Sequence, residues 1–208
     1  MDIRLYFGLP GCGKTTLLSK MALEATKKNK YKNVYGNVHL AIPGYTYIDN
    51  ECIGVYDLSD CIIFIDEGTL FASSRDYMKF SKRLLEYMCM HRHYRAQICI
   101  FSQRWDSLDL NIRTLTSKVF YLYKGFLLGR WFTRVMPIPY GIIIPDKKKS
   151  DGEKLGEIIQ GYCKPHILVR LLAPYVYRPK YYKYFDSWEC PPRPPLPSIY
   201  KPYEEESI

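Results

Sequence analysis

The residues with the clearest chemical potential lie in segment 8–15, which reads GLPGCGKT. It fits the pattern G-x-x-x-x-G-K-[ST], in which backbone N–H groups surround a polyphosphate at the start of a helix. We expect the ammonium group of Lys14 to reach the β- and γ-phosphates and the hydroxyl of Thr15 to bind Mg²⁺. The residues predicted to contact a nucleotide are Gly8, Pro10, Gly11, Cys12, Gly13, Lys14, Thr15 and Thr16.

The elements on either side of this segment are those that such a loop needs. Residues 3–7 form an apolar run that is typical of a buried parallel strand. Residues 16–25 have apolar side chains at helical spacing among strong helix formers. The alternative, a glycine-rich turn with a chance lysine, is disfavoured by this flanking strand and helix. The sequence therefore predicts a nucleotide-binding loop.

A second candidate site follows the apolar residues 61–65. Asp66 and Glu67 come directly after this predicted strand, at the edge where open α/β sheets bind their ligands. Beside a phosphate loop, Asp66 is expected to orient Mg²⁺ through its water shell, and Glu67 is expected to polarise the attacking water as a general base. This arrangement suits hydrolysis better than transfer to a small substrate. The alternative is a strand followed by an ordinary acidic turn.

Two further candidates lie beyond the acidic pair. Residues 96–101 predict a core strand that is followed by Gln103. In P-loop ATPases with an additional strand, this strand lies between the phosphate-loop strand and the acidic strand, so Gln103 would orient the water or sense phosphate loss. Residues 108–115 predict a short helix that presents Arg113 before a strand at 119–123. Arg113 is either a surface residue or a source of charge stabilisation for a neighbouring subunit's nucleotide.

Composition limits the class of protein. The chain has 208 residues and is 47% hydrophobic, which suits one domain with a substantial core and appendages. Its net charge of +9 is compatible with a nucleic-acid or anionic-membrane partner, or with ordinary solubility and a phosphate-binding cleft. The seven cysteines form no C-x-x-C pair, which favours a reducing compartment over disulfides or a zinc site. We see no signal peptide or membrane-spanning stretch and therefore expect a cytosolic protein.

The remaining patterns complete a predicted α/β fold, a P-loop NTPase with a mostly parallel sheet of the additional-strand type. A second strand is predicted at 34–38, and segments 45–48 and 53–56 are compatible with a small hairpin. A helix is predicted at 77–93, ending in the sequence HRH, which is either a basic helix end or a phosphate or nucleic-acid contact. The predicted units are an ATPase domain at 1–188, with a core at 1–124 and a small β-rich add-on at 125–188, and a proline-rich, acidic-ended tail at 189–208. Within the add-on, strands are predicted at 127–135 and 140–144.

Taken in order, these motifs resemble the N-terminal ATPase domain of the zonular occludens toxin (Zot) family, which includes the gene I assembly proteins of filamentous phages. After the phosphate loop come FIDE at 64–67 with Phe71 and Arg75, HRH at 91–93, FSQ at 101–103, IR at 112–113 and YFDS at 184–187. The resemblance covers about residues 1–190. It implies a fold of the RecA and FtsK–HerA type, with ATP and Mg²⁺ as cofactors.

The same resemblance implies partners. Such proteins act in the extrusion or packaging of a phage genome, often as ring-shaped homo-oligomers at the inner membrane, with phage DNA and assembly proteins. Filamentous-phage members carry a transmembrane helix after the ATPase domain, and this sequence has no such stretch. A separate membrane partner protein, with peripheral attachment at the inner membrane, or a soluble packaging motor is therefore expected. The toxin activity in the family's name belongs to a C-terminal segment with no counterpart here.

The leading hypothesis is a Mg²⁺-dependent ATP hydrolase that moves DNA or powers virion assembly in a phage or mobile element. A P-loop small-molecule kinase is an alternative, although no arginine-rich lid is evident. A GTPase is disfavoured because the base-reading motif [NT]-K-x-D is absent. The non-enzymatic alternative is an ATP-binding scaffold whose Tyr- and Lys-rich last third binds a partner. Aromatic residues there either stack on single-stranded DNA or pack in the core or an interface.

Overall fold

The computed structural model describes residues 1–28, 30–67, 82–105, 108–124, 130–138 and 174–186. The strands are β1 (Ile3–Phe7), β2 (Asn33–Gly36), β3 (Tyr45–Tyr47), β4 (Cys61–Ile65), β5 (Gln97–Ser102), β6 (Lys118–Lys124), β7 (Phe132–Ile138) and β8 (Tyr175–Tyr177). The α-helices are α1 (Lys14–Lys27), α2 (Lys82–Met90) and α3 (Leu110–Leu115). Short 3₁₀ helices span Asn50–Cys52 and Arg178–Tyr184.

These strands form one eight-stranded sheet in the order β3-β2-β4-β5-β1-β6-β7-β8. Strands β1 to β6 pair in parallel with one another, whereas β7 is antiparallel to β6 and β8 is antiparallel to β7. Strand β5 lies between β1 and β4, which is the position of the additional strand. The predicted fold class is therefore confirmed.

The centre of the sheet is buried on both faces. Strands β4 and β5 are buried along their whole length, as expected for parallel strands whose crossover helices cover both sides. Because side chains alternate along a strand, Ile63 packs in the cluster beneath α2 and α3, while Phe64 packs with α1. Tyr6 stacks between Phe101 and Phe120, with ring centroids 4.9 Å and 4.7 Å away. Burying each such side chain contributes about 1.5–3 kcal/mol, so this core holds the sheet edge rigidly.

The parallel strands place their carboxyl ends on one side of the sheet, here called the carboxyl edge. The residues that follow β1, β2, β4 and β5 are therefore gathered there, and they include Gly8, Asn37, Asp66 and Gln103. The opposite side, where the parallel strands begin, is called the amino edge. No helix within the described ranges is long and apolar enough to cross a membrane.

The predicted hairpin is wrong. Strand β3 pairs in parallel with β2, and the next residues form the 3₁₀ helix Asn50–Cys52 instead of a return strand. Ile53 is buried in the core, and Gly54 adopts a left-handed φ of 83°. A Cβ on Gly54 would lie 2.7 Å from the carbonyl oxygen of Arg83, so this turn packs against α2 and cannot pair with β3.

Other boundaries differ by a few residues. Helix α2 ends at Met90, three residues before the predicted end, and a turn then leads into β5. Strand β7 begins at Phe132 and continues to Ile138. Several predictions lie outside the described residues: the first turn of the predicted helix at 77–81, the residues Phe71 and Arg75, the strand at 140–144, Ser187 and the tail at 189–208.

Candidate nucleotide site

The first backbone N–H groups of helix α1 are available to bind an anion. Gly13 precedes the helix with a left-handed φ of 97°, and the first helical bond runs from the Leu17 N–H to Gly13 O at 3.0 Å. The N–H groups of Gly13, Lys14, Thr15 and Thr16 therefore have no acceptor within the helix. No side chain caps this end, and its first turn has no acidic residue. The positive end of the helix dipole and these N–H groups suit an anion.

Two lysines lie against the loop. The Nζ of Lys14 donates to Gly8 O at 3.0 Å and lies 3.5 Å from Leu9 O. Lys124, the last residue of β6, has its Nζ 3.4 Å from the position that a Cβ on Gly11 would take. The position of Lys124 beside the loop was not predicted from the sequence, because it depends on the pairing of β6 with β1.

Some predicted nucleotide contacts are limited to the backbone. Cys12 is buried, its N–H donates to Leu9 O at 3.1 Å, and burial raises the pKa of its thiol. Thr16 is also buried. The side chains of Cys12 and Thr16 thus pack beneath the loop, whereas Pro10 is exposed on it. Any contact that Cys12 or Thr16 makes with a phosphate must come from the main chain.

Thr15 and Asp66, the two residues predicted to hold Mg²⁺, contact each other. The Thr15 hydroxyl donates to Asp66 Oδ2 at 3.0 Å, and the Glu67 N–H donates to Asp66 Oδ1 at 3.0 Å. Burial raises the pKa of the Asp66 carboxyl, and these two hydrogen bonds oppose the rise. A neighbouring divalent cation would offset the unfavourable burial of the carboxylate. A hydroxyl and a carboxylate are oxygen donors of the type that Mg²⁺ prefers, so the residues fit this ion.

Glu67 and Gln103 also come together. The Gln103 Nε2 donates to Glu67 Oε2 at 3.1 Å, because β4 and β5 are neighbours and end at the same edge. Glu67 has a left-handed φ of 51°, which costs about 1–2 kcal/mol for a residue with a Cβ. Strained conformations of this kind persist where the surroundings impose them, often at functional sites. The left-handed conformation of Glu67 turns the chain away from the direction of β4 directly after Asp66.

Asn37 fixes the backbone of this acidic pair, a role that sequence analysis missed. Its Oδ1 accepts the Asp66 N–H at 2.7 Å, and its Nδ2 donates to Asp66 O at 2.9 Å and to Asn50 Oδ1 at 3.0 Å. A polar residue directly after a short strand is the signal that could have identified it. The signal has no meaning until β2 is known to pair with β4.

Arg113 lies away from this group. It is on α3, four residues before Ser117, whose N–H donates to Ile3 O at 2.9 Å at the amino edge of the sheet. Its proposed action on a neighbouring subunit stays a prediction. The HRH sequence also leads to the amino edge, where the Ala96 N–H donates to His91 O at 2.8 Å just before β5. The structure thus joins Thr15, Asp66, Glu67 and Gln103 but places Arg113 apart from them.

Comparison with known proteins finds one matching family model. The model of the zonular occludens toxin (Zot) family matches residues 44–133. This stretch contains Asp66, Glu67, Gln103 and Arg113, while the phosphate loop precedes it. A search of curated proteins found no significant match.

Solved structures share the fold. The chain is similar to the N-terminal domain of zonular occludens toxin from Neisseria meningitidis, with a TM-score of 0.56 and 18% identity, covering 89% of this chain and 98% of that one. It is also similar to the genome packaging NTPase B204 from Sulfolobus turreted icosahedral virus 2. The sulfate complex of B204 has a TM-score of 0.50 and 12% identity, covering 66% of this chain and 92% of that one. Its AMP complex has a TM-score of 0.50 and 13% identity, covering 64% and 91%. The chain therefore has the P-loop NTPase fold, and its resemblance to the Zot N-terminal domain is confirmed by the family match and by the shared fold.

Proposed function

We propose that this protein is a Mg²⁺-dependent ATP hydrolase that powers genome packaging, DNA extrusion or virion assembly for a phage or mobile element. The observation that carries the hydrolytic part is the contact between Gln103 and Glu67, placed beside the Thr15–Asp66 pair. This group and the phosphate loop lie together at the carboxyl edge of the sheet. The arrangement offers a carboxylate and an amide for a water molecule and an anion-binding helix end for the phosphates.

Each side chain has a role in this proposal. Lys14 exchanges its bond to Gly8 O for a phosphate oxygen, and Thr15 and Asp66 would hold the magnesium ion. The ion neutralises charge on the phosphates when it is bound. Glu67 accepts the proton of the water that attacks the γ-phosphorus, while the bond from that phosphorus to the bridging oxygen breaks and ADP leaves. Gln103 orients Glu67 and that water.

The work that hydrolysis drives is inferred from similarity and charge. B204 is described as a genome packaging NTPase, and a net charge of +9 favours association with nucleic acid. We further propose a ring of identical subunits in the host cytosol, peripheral at the inner membrane through a membrane partner protein. In such a ring, Arg113 would act on the neighbouring subunit's nucleotide.

The test measures ATP hydrolysis by the full chain with Mg²⁺, alone and with single- or double-stranded DNA, and measures the oligomer mass in the same samples. Lys14→Ala should abolish nucleotide binding. Glu67→Gln should keep binding but slow hydrolysis by about 100-fold or more, because it removes the general base. Lys27→Ala is the matched control, because it removes a lysine from the far end of the same helix.

The outcomes separate the alternatives. Hydrolysis that is absent with and without DNA, or unchanged in both Lys14→Ala and Glu67→Gln, contradicts the proposal. Transfer of labelled phosphate to nucleosides would indicate a kinase. Nucleotide binding without turnover would indicate a scaffold. Stimulation by DNA that falls steeply as salt rises would support DNA as the partner, since phosphate contacts release counterions.

A further inference from the structure

Two buried side chains of the C-terminal add-on contact the backbone of the phosphate loop. Thr133, on β7, is fully buried at 0% exposure, and its hydroxyl donates to Cys12 O at 2.6 Å. Arg178, at the start of the 3₁₀ helix Arg178–Tyr184, is 8% exposed. Its Nε donates to Thr133 Oγ1 at 3.0 Å, its Nη1 donates to Arg130 O at 3.4 Å, and its Nη2 contacts Gly11 O. The add-on thus holds two consecutive carbonyl groups of the loop.

The burial of Arg178 calls for a physical reason. In the described part of the chain its hydrogen bonds go to two carbonyls and one hydroxyl, and none goes to a carboxylate. A buried charge is unfavourable unless an opposite charge or strong hydrogen bonds compensate it. The carbonyl dipoles of the loop supply part of that compensation. An anion bound on the same loop would supply more.

The two carbonyl contacts also set the direction of the loop's donors. A peptide unit is planar and trans, so its C=O and the following N–H point in opposite directions, and the described residues contain no cis peptide bond. Because the Cys12 C=O points to Thr133, the Gly13 N–H points away from the add-on. The fit is tight, since a Cβ on Gly13 would lie 2.1 Å from Thr133 Oγ1. Thr133 therefore orients one of the N–H groups that has no acceptor in helix α1.

Two further described residues of the add-on pack on the same helix. Val176 and Tyr181 are buried in the hydrophobic cluster that contains Leu17 and Leu18 of α1. Residues 174–186, helix α1 and the phosphate loop therefore pack together as one unit. If a ligand favours one arrangement of the loop, thermodynamic linkage requires that it also favour docking of the segment that holds this arrangement.

We propose that Thr133 and Arg178 are positioning residues of the nucleotide site, and that they couple binding of a nucleoside polyphosphate to docking of residues 174–186 on α1. The two side chains preset the peptide groups of the loop before the phosphates arrive. The inference rests on the proposed nucleotide binding and adds a regulatory path to it. Any partner that displaces residues 174–186 from α1 would weaken nucleotide binding, and bound nucleotide would favour their docking.

The experiment compares wild type with Thr133→Val, Arg178→Lys and Lys180→Ala. Thr133→Val keeps the shape of the side chain and removes the hydroxyl. Arg178→Lys keeps the charge but replaces the planar guanidinium, whose separate N–H groups reach Thr133 and Gly11, with a single ammonium group. Lys180→Ala removes an exposed charge from the same 3₁₀ helix and is the matched control. Calorimetry gives the affinity for a non-hydrolysable ATP analogue with Mg²⁺. Hydrogen exchange of residues 174–186, with and without the analogue, reports docking.

We expect the first two variants to lose about 10-fold in affinity, within the range of ordinary coupling between sites. The analogue should slow exchange of residues 174–186 in wild type and Lys180→Ala, and should slow it less in Thr133→Val and Arg178→Lys. A merely structural bond would lower the melting temperature of the variants and leave this response to nucleotide unchanged. Unchanged exchange in β4 and β5 serves as the check that each variant is folded.

Affinities within twofold of wild type in both variants overturn the inference, as does exchange of residues 174–186 that does not respond to saturating analogue in wild type. If Thr133→Val does not fold, Arg178→Lys and the wild-type exchange decide the matter. A wild-type protein that binds no nucleotide overturns the proposed function together with this inference. Tight binding by wild type and by both variants overturns this inference alone.

Discussion

Removing the Asn37 side chain should separate the positioning of the acidic pair from the binding of phosphate. Asn37 makes two hydrogen bonds to the backbone of Asp66, at 2.7 Å and 2.9 Å, and a third to Asn50 at 3.0 Å. A net contribution of about 1 kcal/mol for each bond means that Asn37→Ala should be destabilised by about 3 kcal/mol. Asn50→Ala removes only the third bond and should be destabilised by about 1 kcal/mol. The difference of about 2 kcal/mol is the contribution of the two contacts to Asp66.

The same change should affect hydrolysis more than binding. Without Asn37 the end of β4 is held less firmly, and Glu67, which already has a strained φ of 51°, can relax out of line. A displacement of about 1 Å in a reacting group lowers the rate by about 100-fold, so we expect kcat of Asn37→Ala to fall by about 10- to 100-fold. KM should change by less than about threefold, because the loop and Lys14 keep their contacts.

Urea denaturation without nucleotide gives the free energies of unfolding, and steady-state ATPase assays give kcat and KM. Asn50→Ala is the control in both measurements and should keep its kcat. The reasoning is refuted if Asn37→Ala and Asn50→Ala lose the same stability, since the contacts to Asp66 then contribute nothing. It is also refuted if KM rises while kcat stays constant, because Asn37 would then act in binding.

Three further predictions concern two backbone positions and a buried histidine. Because φ of residue 67 is 51°, Glu67→Gly should be about 1 kcal/mol more stable towards urea than Glu67→Ala; a more stable alanine variant would contradict this. Gly13→Ala should lower the melting temperature by about 4–8 °C, since a left-handed φ and a Cβ 2.1 Å from Thr133 Oγ1 together cost about 2 kcal/mol or more; an unchanged melting temperature would rule out the contact. Burial lowers the pKa of His91 below the usual 6.5, so the unfolded chain binds more protons and stability is lost as the pH falls through and below 6.5. His91→Asn should flatten this loss between about pH 7 and pH 5, whereas His93→Asn, which changes an exposed neighbour, should keep it, as followed by denaturation at each pH.

The parts that depend on local pattern were predicted from the sequence. The bounds of β1 and β4 are those of the largely apolar segments at 3–7 and 61–65, because a parallel strand covered on both faces consists mostly of apolar residues. Arg4 in β1 is the one charged residue in these two strands. The phosphate loop has a fixed spacing of glycines, lysine and threonine, so it too can be recognised from the sequence alone. The acids at 66 and 67 were found because they interrupt such a run.

The errors arose where local pattern is weak. The apolar residues around Gly54 are typical of a strand. In the structure, the side chain of Ile53 is buried in the core beneath α2, and the turn at Gly54 packs against the backbone of Arg83. Strand β7 begins at Phe132, because Phe132 pairs with Tyr177 of β8 and Thr133–Ile138 pair with β6. Pairing across the sheet decides these boundaries, and pairing partners are not adjacent in sequence.

The sequence by itself determined that a glycine-rich loop with a lysine, a carboxylate pair and a glutamine follow parallel strands, since each is a short motif next to an apolar run. Only the tertiary structure decided which side chains support them. Asn37 reaches Asp66 because β2 pairs with β4, and Lys124 lies by Gly11 because β6 pairs with β1. The contact of Arg178 with Gly11 spans 167 residues of sequence. Contacts at such separation depend on packing of the whole sheet, because the strand order, and not the spacing along the chain, brings their residues together.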